Sequence, residues 1–228
     1  MNKGYGQGDE RLAEYAERVF IIGREWGESE LLADVRARQQ AAGMPDIAVG
    51  LMDGLHLEVL TRAVGARRAV EIGTLGGWSG ACIARGLAEG GRLDTFEIEE
   101  SHAAVARQTF ARAGLSDRVR IHVGPASLRL ADIETDGPFD LVFIDADKVA
   151  YPIYLAWAAR NLRVGGVVLG DNAFGWGHVV SPGLPTSHPD SPGVRALLSF
   201  NEALARGGRF RATMLPTGEG LAMGVKIR

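Results

Sequence analysis

The chain has 228 residues, of which 46% are hydrophobic and 23% are charged, values typical of a soluble globular protein with one core. Its apolar runs are too short to span a membrane, and the first ten residues lack the apolar stretch of a secretory signal. The single cysteine, Cys82, cannot form an intrachain disulfide, which suits a cytoplasmic protein. The net charge of −3 and the scattered arginines disfavour a basic stripe that would bind nucleic acid.

Apolar residues at helical spacing, as in Leu12, Tyr15, Val19 and Ile22, predict helices within residues 1–62. Further along, short apolar runs alternate with helical segments, which predicts a parallel sheet covered by helices on both faces. The predicted strands are 66–73, 92–98, 118–124, 139–146, 165–172, 210–216 and 220–228. The predicted helices between them are 78–90, 101–114 and 151–162. We expect a single α/β domain over 1–228, with a doubly wound, mostly parallel, seven-stranded sheet and extra N-terminal helices.

Residues 173–193 interrupt this alternation with four prolines and four glycines. A long irregular insertion in a compact domain is usually a functional loop or a disordered one. We expect it to form a lid over a ligand pocket. Phe174 and Trp176 would either stack on an aromatic ligand or anchor the loop, and both alternatives stay open.

A glycine-rich turn, EIGTLGGWS (71–79), follows the first predicted strand. Its glycines permit close backbone approach to a ligand, and Glu97 ends the next strand, where an acidic side chain binds ribose hydroxyls. A nicotinamide dinucleotide would suit this layout, but Leu75 stands where its fingerprint has a second glycine. S-adenosylmethionine has no pyrophosphate, and Glu71 suits its cationic amino acid end. Alternatively, the glycines only form a turn and Glu97 is a solvated strand end.

Carboxylates follow two further strands: Asp145 and Asp147 come after the fourth, and Asp171 and Asn172 after the fifth. Neighbouring strands lie about 4.8 Å apart, so the carboxylates of Asp145 and Asp171 would emerge side by side and repel each other. A divalent cation relieves that repulsion. With the Asn172 amide oxygen, the set suits magnesium, manganese or calcium rather than zinc. Alternatively, the first two aspartates cap a helix and Asp171 starts a turn.

The motifs EIGTLGGWS (71–79), GPAS (124–127), FIDADK (143–148) and GDN (170–172) together resemble one known family. It is the metal-dependent O-methyltransferase family that contains catechol and caffeoyl-CoA O-methyltransferases. The resemblance implies a Rossmann-like methyltransferase fold, S-adenosylmethionine and a divalent metal as cofactors, a catechol-like vicinal diol as acceptor, and a homodimer. Some bacterial members modify hydroxyuridine in tRNA, which is the alternative function. A dehydrogenase and a non-enzymatic binding domain are the rivals outside the family.

The resemblance also implies roles for individual residues. It implies that the methionine part of the cofactor is held by Val49, Glu71, Gly73, Thr74 and Ser79. It further implies that Glu97 binds the ribose, that Ala126 lies by the adenine, and that Asp145 and Asp147 contact the cofactor. Asp145, Asp171 and Asn172 are expected to hold the metal, and Lys148 is the expected base near the acceptor. Lys148 and Asp145 are the expected catalytic residues.

Overall fold

The computed structural model describes residues 10–20, 27–180, 188 and 190–228. One seven-stranded sheet, in the order β3-β2-β1-β4-β5-β7-β6, organises them. Numbered along the chain, the strands are β1 (Arg68–Ile72), β2 (Arg92–Glu97), β3 (Val119–Val123), β4 (Phe139–Ile144), β5 (Leu162–Gly170), β6 (Phe210–Leu215) and β7 (Leu221–Lys226). Strand β7 is antiparallel to β5 and β6, and the other neighbouring pairs are parallel. The α/β fold with a mostly parallel sheet is therefore confirmed.

Helices cover both faces of the sheet. They are α1 (Glu10–Phe20), α2 (Glu28–Ala41), α3 (Leu51–Ala63), α4 (Trp78–Gly86), α5 (Glu100–Arg112), α6 (Ala126–Arg129), α7 (Tyr151–Asn161) and α8 (Ser191–Arg206). The helices expected before the sheet are α1 to α3. Within the described part of the chain, no helix is long and apolar enough to cross a membrane.

The strands are apolar on both faces because helices bury both sides of the sheet. In β4, Val142 and Ile144 point into one hydrophobic cluster, and Leu141 and Phe143 point into the other. This two-sided burial explains why the strand is a continuous apolar run rather than an alternating one.

The order in which successive strands are added to the sheet reverses between β1 and β4. From β1 the chain proceeds outward to β2 and β3, then returns to place β4 on the other side of β1. Helices from the two halves cover opposite faces there, which leaves a crevice outside the carboxyl ends of β1 and β4. The expected site residues follow these strand ends.

Helix α2 packs directly on the glycine turn. A side chain at Gly76 would overlap Gln39 and Val35 of that helix. Arg38 donates from Nη1 to the Thr109 hydroxyl at 2.9 Å, and that hydroxyl donates to the Gly76 carbonyl at 2.5 Å. The N-terminal helices thus support the turn beside the crevice.

Helix α8 was not predicted, and it corrects one boundary of the irregular segment 173–193. The helix begins at Ser191, so residues 191–193 are helical; residues 181–187 and 189 lie outside the described residues. Residues 175–180 form short 3-10 turns that are interrupted by a kink at Trp176 and Gly177. Pro192, in the first turn of α8, is compatible with a helix start because the first turn needs no amide donor.

Phe200 joins α8 to the sheet, and we expect Phe200→Ala to lower the free energy of unfolding by about 3–5 kcal/mol. Its ring is fully buried and lies where a side chain on Gly170 would stand. Leu198 lies on the same helix and is 44% exposed, so Leu198→Ala should lower the free energy of unfolding by less than about 1 kcal/mol. Urea denaturation measures both variants; equal losses would contradict the described packing of α8.

Candidate active site

A cavity of about 1070 Å³ opens at the carboxyl ends of the central strands. The expected site residues that line it are Val49, Gly73, Thr74, Ser79, Glu97, Ala126, Asp145, Asp147, Lys148, Asp171 and Asn172. Glu71 does not line the cavity and is fully buried. The structure therefore brings these residues to one place, while the role of each stays a prediction.

Gly73 marks the point where the turn after β1 meets the turn after β4. Its φ of 103° lies in a region that favours glycine, and a side chain there would overlap the carbonyl oxygen of Asp145. The glycine is therefore required by close approach between two backbone segments. It brings the cavity's glycine-rich wall against its carboxylate-bearing wall.

Backbone strain is concentrated at this cavity. Among the described residues, three that are not glycine have positive φ: Leu75 at 48°, Asn172 at 56° and Trp176 at 54°. All three line the cavity. For leucine and tryptophan this conformation costs of order 1–2 kcal/mol, whereas asparagine adopts it more readily, and strained residues of this kind cluster at functional sites.

The carboxylate of Glu97 is fixed by the backbone of two loops. It accepts hydrogen bonds from the amides of Leu75 at 2.8 Å and Glu99 at 3.0 Å. The side chain is 7% exposed and lines the cavity. A carboxylate oxygen can accept more than one hydrogen bond, so lone pairs remain for ligand hydroxyls.

Glu71 is a buried acid beneath the glycine turn. The Thr95 hydroxyl donates to its Oε2 at 2.6 Å. Burial, with a smaller contribution from the Asp145 and Glu97 carboxylates, raises the pKa of Glu71 to about 8, although hydrogen bonds from the hydroxyls of Ser79 and Thr95 oppose the rise. A positive charge bound nearby would therefore stabilise the ionised form strongly.

Lys148 is held against the carboxylate wall of the cavity. Its Nζ donates to Asp145 Oδ1 at 2.8 Å and to the Tyr151 hydroxyl at 2.9 Å. Burial raises the pKa of Tyr151 well above its usual range, with the Asp145 carboxylate adding to the rise, so this hydroxyl stays protonated. One residue before Lys148, Asp147 accepts a hydrogen bond from Tyr154 at 2.7 Å.

Asp171 and Asp145 both line the cavity and are close enough for their carboxylates to interact electrostatically. Burial raises the pKa of Asp171 well above its usual range, and the Asp145 carboxylate raises it further. A divalent cation would relieve both penalties, so these residues and the Asn172 amide fit a hard cation. No group of three or more His, Cys, Asp or Glu within the described ranges could hold a metal; the expected set has only two such residues.

The cavity wall has a further acidic part that was not predicted from the sequence. Asp53 in the first turn of α3 and Glu219 in the β6–β7 turn both line the cavity. Burial raises the pKa of Asp53, although the nearby His56 opposes the rise. Asp53 and Glu219 meet only through the fold, so no spacing in the sequence indicated them.

The two aromatic residues of the irregular segment have different surroundings. A side chain on Gly220 would overlap the Phe174 ring, so this ring anchors the segment to the β6–β7 turn. Trp176 is 43% exposed and lines the cavity. Of the two alternatives stated for these rings, anchoring therefore fits Phe174, and only Trp176 lies where it could meet a ligand.

The known proteins that this chain resembles are O-methyltransferases. A sequence profile of the family described as O-methyltransferase matches residues 23–227. A catechol O-methyltransferase of Mycobacterium tuberculosis is 45% identical over 155 residues, covering 68% of this chain and 70% of that protein. One from Niastella koreensis is 39% identical over 176 residues, covering 76% and 77%. The crystal structure of an O-methyltransferase from Bacillus cereus in complex with SAH (S-adenosylhomocysteine) has a TM-score of 0.84 and 37% identity, covering 95% of this chain and 97% of that one.

The raised pKa of Glu71 predicts a pH dependence of stability. Because its folded pKa is about 8 and its ordinary value is 4.5, the folded protein binds the extra proton between these pH values. The contribution of Glu71 to stability therefore falls as pH rises from 4.5 to 8. Glutamine does not titrate, so Glu71→Gln should lack this dependence. The free energy of unfolding of the variant, minus that of wild type, should therefore increase from pH 5 to pH 8. Denaturation at both pH values tests this, and a constant difference would contradict it.

Proposed function

The chain belongs to the O-methyltransferase family, and on that premise we propose that it methylates one hydroxyl of a catechol-like small molecule held on a divalent metal. It is an S-adenosylmethionine-dependent O-methyltransferase. The observation that carries the finer proposal is the pairing of Asp145 and Asp171 in the cavity, with Lys148 bonded to the first of them.

S-adenosylmethionine supplies a methyl group on a positively charged sulfur, and it carries an amino acid end and a ribose. We assign the ribose to Glu97, whose carboxylate is already oriented by two backbone amides. Glu71, a buried acid beneath the turn, would favour the cationic end. The remaining contacts are assigned to Val49, Gly73, Thr74, Ser79, Ala126, Asp145 and Asp147, all of which line the cavity.

The metal would be held by Asp145, Asp171 and Asn172, with magnesium expected and manganese or calcium as alternatives. When bound, a divalent metal lowers the pKa of a hydroxyl that it contacts and orients it. The three residues supply only oxygen ligands. Asn172 has a left-handed backbone conformation directly after Asp171, which sets the direction in which its side chain leaves the backbone.

Lys148 would remove the proton from the acceptor hydroxyl. The oxygen then forms a bond to the methyl carbon, the carbon–sulfur bond breaks with its electron pair left on sulfur, and the proton resides on Nζ. Opposite charges are neutralised in this step, so a site that excludes water favours it. Trp176, at the cavity wall, is suited to cover an aromatic acceptor. A homodimer and a cytoplasmic location stay predictions.

Metal removal should abolish methyl transfer, because the acceptor hydroxyl would lose both its activation and its orientation. After treatment with a chelator, magnesium or manganese should restore activity and raise the melting temperature. Asp171→Ala should remove both effects, whereas Asp132→Ala, which changes an exposed carboxylate outside the cavity lining, should retain them. Full activity of rigorously metal-free enzyme would exclude this mechanism.

Acceptors with two adjacent hydroxyls should react faster than their monohydroxy analogues, with at least about tenfold higher kcat/KM. A metal held by only three protein oxygens would have room for further ligands, and a vicinal diol could supply two oxygens where a mono-ol supplies one. The measurement is methyl transfer from labelled S-adenosylmethionine to matched pairs of diols and mono-ols. Equal rates within each pair would mean that the acceptor is not chelated. Transfer to tRNA, with none to any small molecule, would favour the tRNA hydroxyuridine alternative.

A further inference from the structure

Tyr151, three residues after Lys148, is fully buried, and its hydroxyl contacts three polar atoms. The Lys148 amine lies 2.9 Å away, the Ile144 carbonyl 3.1 Å and the Asp171 carbonyl 3.2 Å. A phenol donates one hydrogen bond and accepts others, whereas a carbonyl only accepts. The tyrosine proton is therefore directed to one of the two carbonyls. Its oxygen is left as an acceptor, and Lys148 is the donor to it.

A second bond fixes the Lys148 amine from another direction. Its Nζ donates to Asp145 Oδ1 at 2.8 Å, and it lies 4.8 Å from the centre of the Tyr151 ring. A neutral amine has two N–H bonds and one lone pair in a tetrahedral arrangement. When the two N–H bonds are directed to Asp145 and Tyr151, the direction of the lone pair is determined. Only this lone pair can accept a proton.

We propose that Tyr151 is a positioning residue that holds the Lys148 lone pair toward the acceptor hydroxyl. The inference rests on the proposed function, in which Lys148 is the base. Without the tyrosine oxygen, Nζ keeps the bond to Asp145 but is free to rotate about it. The amine would then spend less time oriented for proton removal, which slows the chemical step but not the binding of either substrate.

The ring and the hydroxyl of Tyr151 make separate contributions. The ring packs edge-on against Phe200 of α8, with centroids 5.3 Å apart, and this contact does not depend on the oxygen. Tyr151→Phe keeps the ring and removes the oxygen. Phe200→Leu alters the packing of the same ring and keeps the oxygen, so it serves as the matched control for loosened packing.

We expect Tyr151→Phe to lower kcat about tenfold, the effect of one orienting hydrogen bond. The KM for the acceptor, the affinity for S-adenosylhomocysteine and the magnesium-induced rise in melting temperature should change little. Phe200→Leu should lower the melting temperature at least as much, with a smaller change in kcat. A Tyr151→Phe variant that loses magnesium response, or that loses kcat only in proportion to its stability, would overturn the proposal.

A double-mutant cycle with Lys148→Met separates the routes by which Tyr151 could act. If Tyr151 acts through Lys148, Tyr151→Phe should lower kcat in wild type and have little effect in the Lys148→Met background. An equal loss in both backgrounds would mean that it acts through Asp171 or through the fold, and would overturn the inference. If Lys148→Met has no measurable activity, the comparison of Tyr151→Phe with Phe200→Leu decides whether the hydroxyl or only the packing of the ring matters for kcat.

The cycle also distinguishes failure of this inference from failure of the proposed function. A fully active Lys148→Met variant would remove the base role of Lys148, and the role of Tyr151 with it. An impaired Lys148→Met variant beside an unchanged Tyr151→Phe variant would overturn only the positioning role.

Discussion

Strands β1, β4 and β5 are paired in register up to their last residues, and this pairing fixes the chemistry of the cavity. Ile72 lies beside Ile144, which in turn lies beside Gly170. The ladder continues one step further, because the Asp145 amide donates to the Ile72 carbonyl and the Asp171 amide donates to the Ile144 carbonyl. Both aspartates therefore leave the sheet at the same level. A shift by one residue would turn one of them to the opposite face.

This arrangement places several features that destabilise the folded protein at one edge of the sheet. Burial disfavours the ionised forms of Glu71 and Asp171, and the nearby Asp145 carboxylate adds to the penalty for both. Leu75 holds a strained left-handed backbone conformation at the same edge. The rest of the fold offsets these costs through apolar clusters on both faces of the sheet. A bound cation would offset the electrostatic part of these costs.

Much of the fold could be predicted because its signals are local. The strands, α4, α5 and α7 appeared as apolar runs and helical patterns, although the predicted helix 78–90 ends earlier, at Gly86. Helix α8 was missed although Val194, Leu197, Phe200 and Leu204 carry a helical pattern of buried residues, because the proline-rich segment before it obscured its start. Of the cavity wall, Asp53 and Glu219 could not be predicted, since only the fold brings their two distant segments to the same cavity.

The sequence alone determined the order of the elements, the glycine turn and the carboxylates that follow particular strands. These depend on residue type and on spacing within one segment, which a chain carries before it folds. Only the tertiary structure decided which atoms meet. It placed Gly73 against the Asp145 carbonyl, gave the Glu97 carboxylate two backbone amides, and put the Tyr151 hydroxyl between Lys148 and two carbonyls. Such contacts join atoms from separate strands and loops, and their distances follow from strand register and packing rather than from any local pattern.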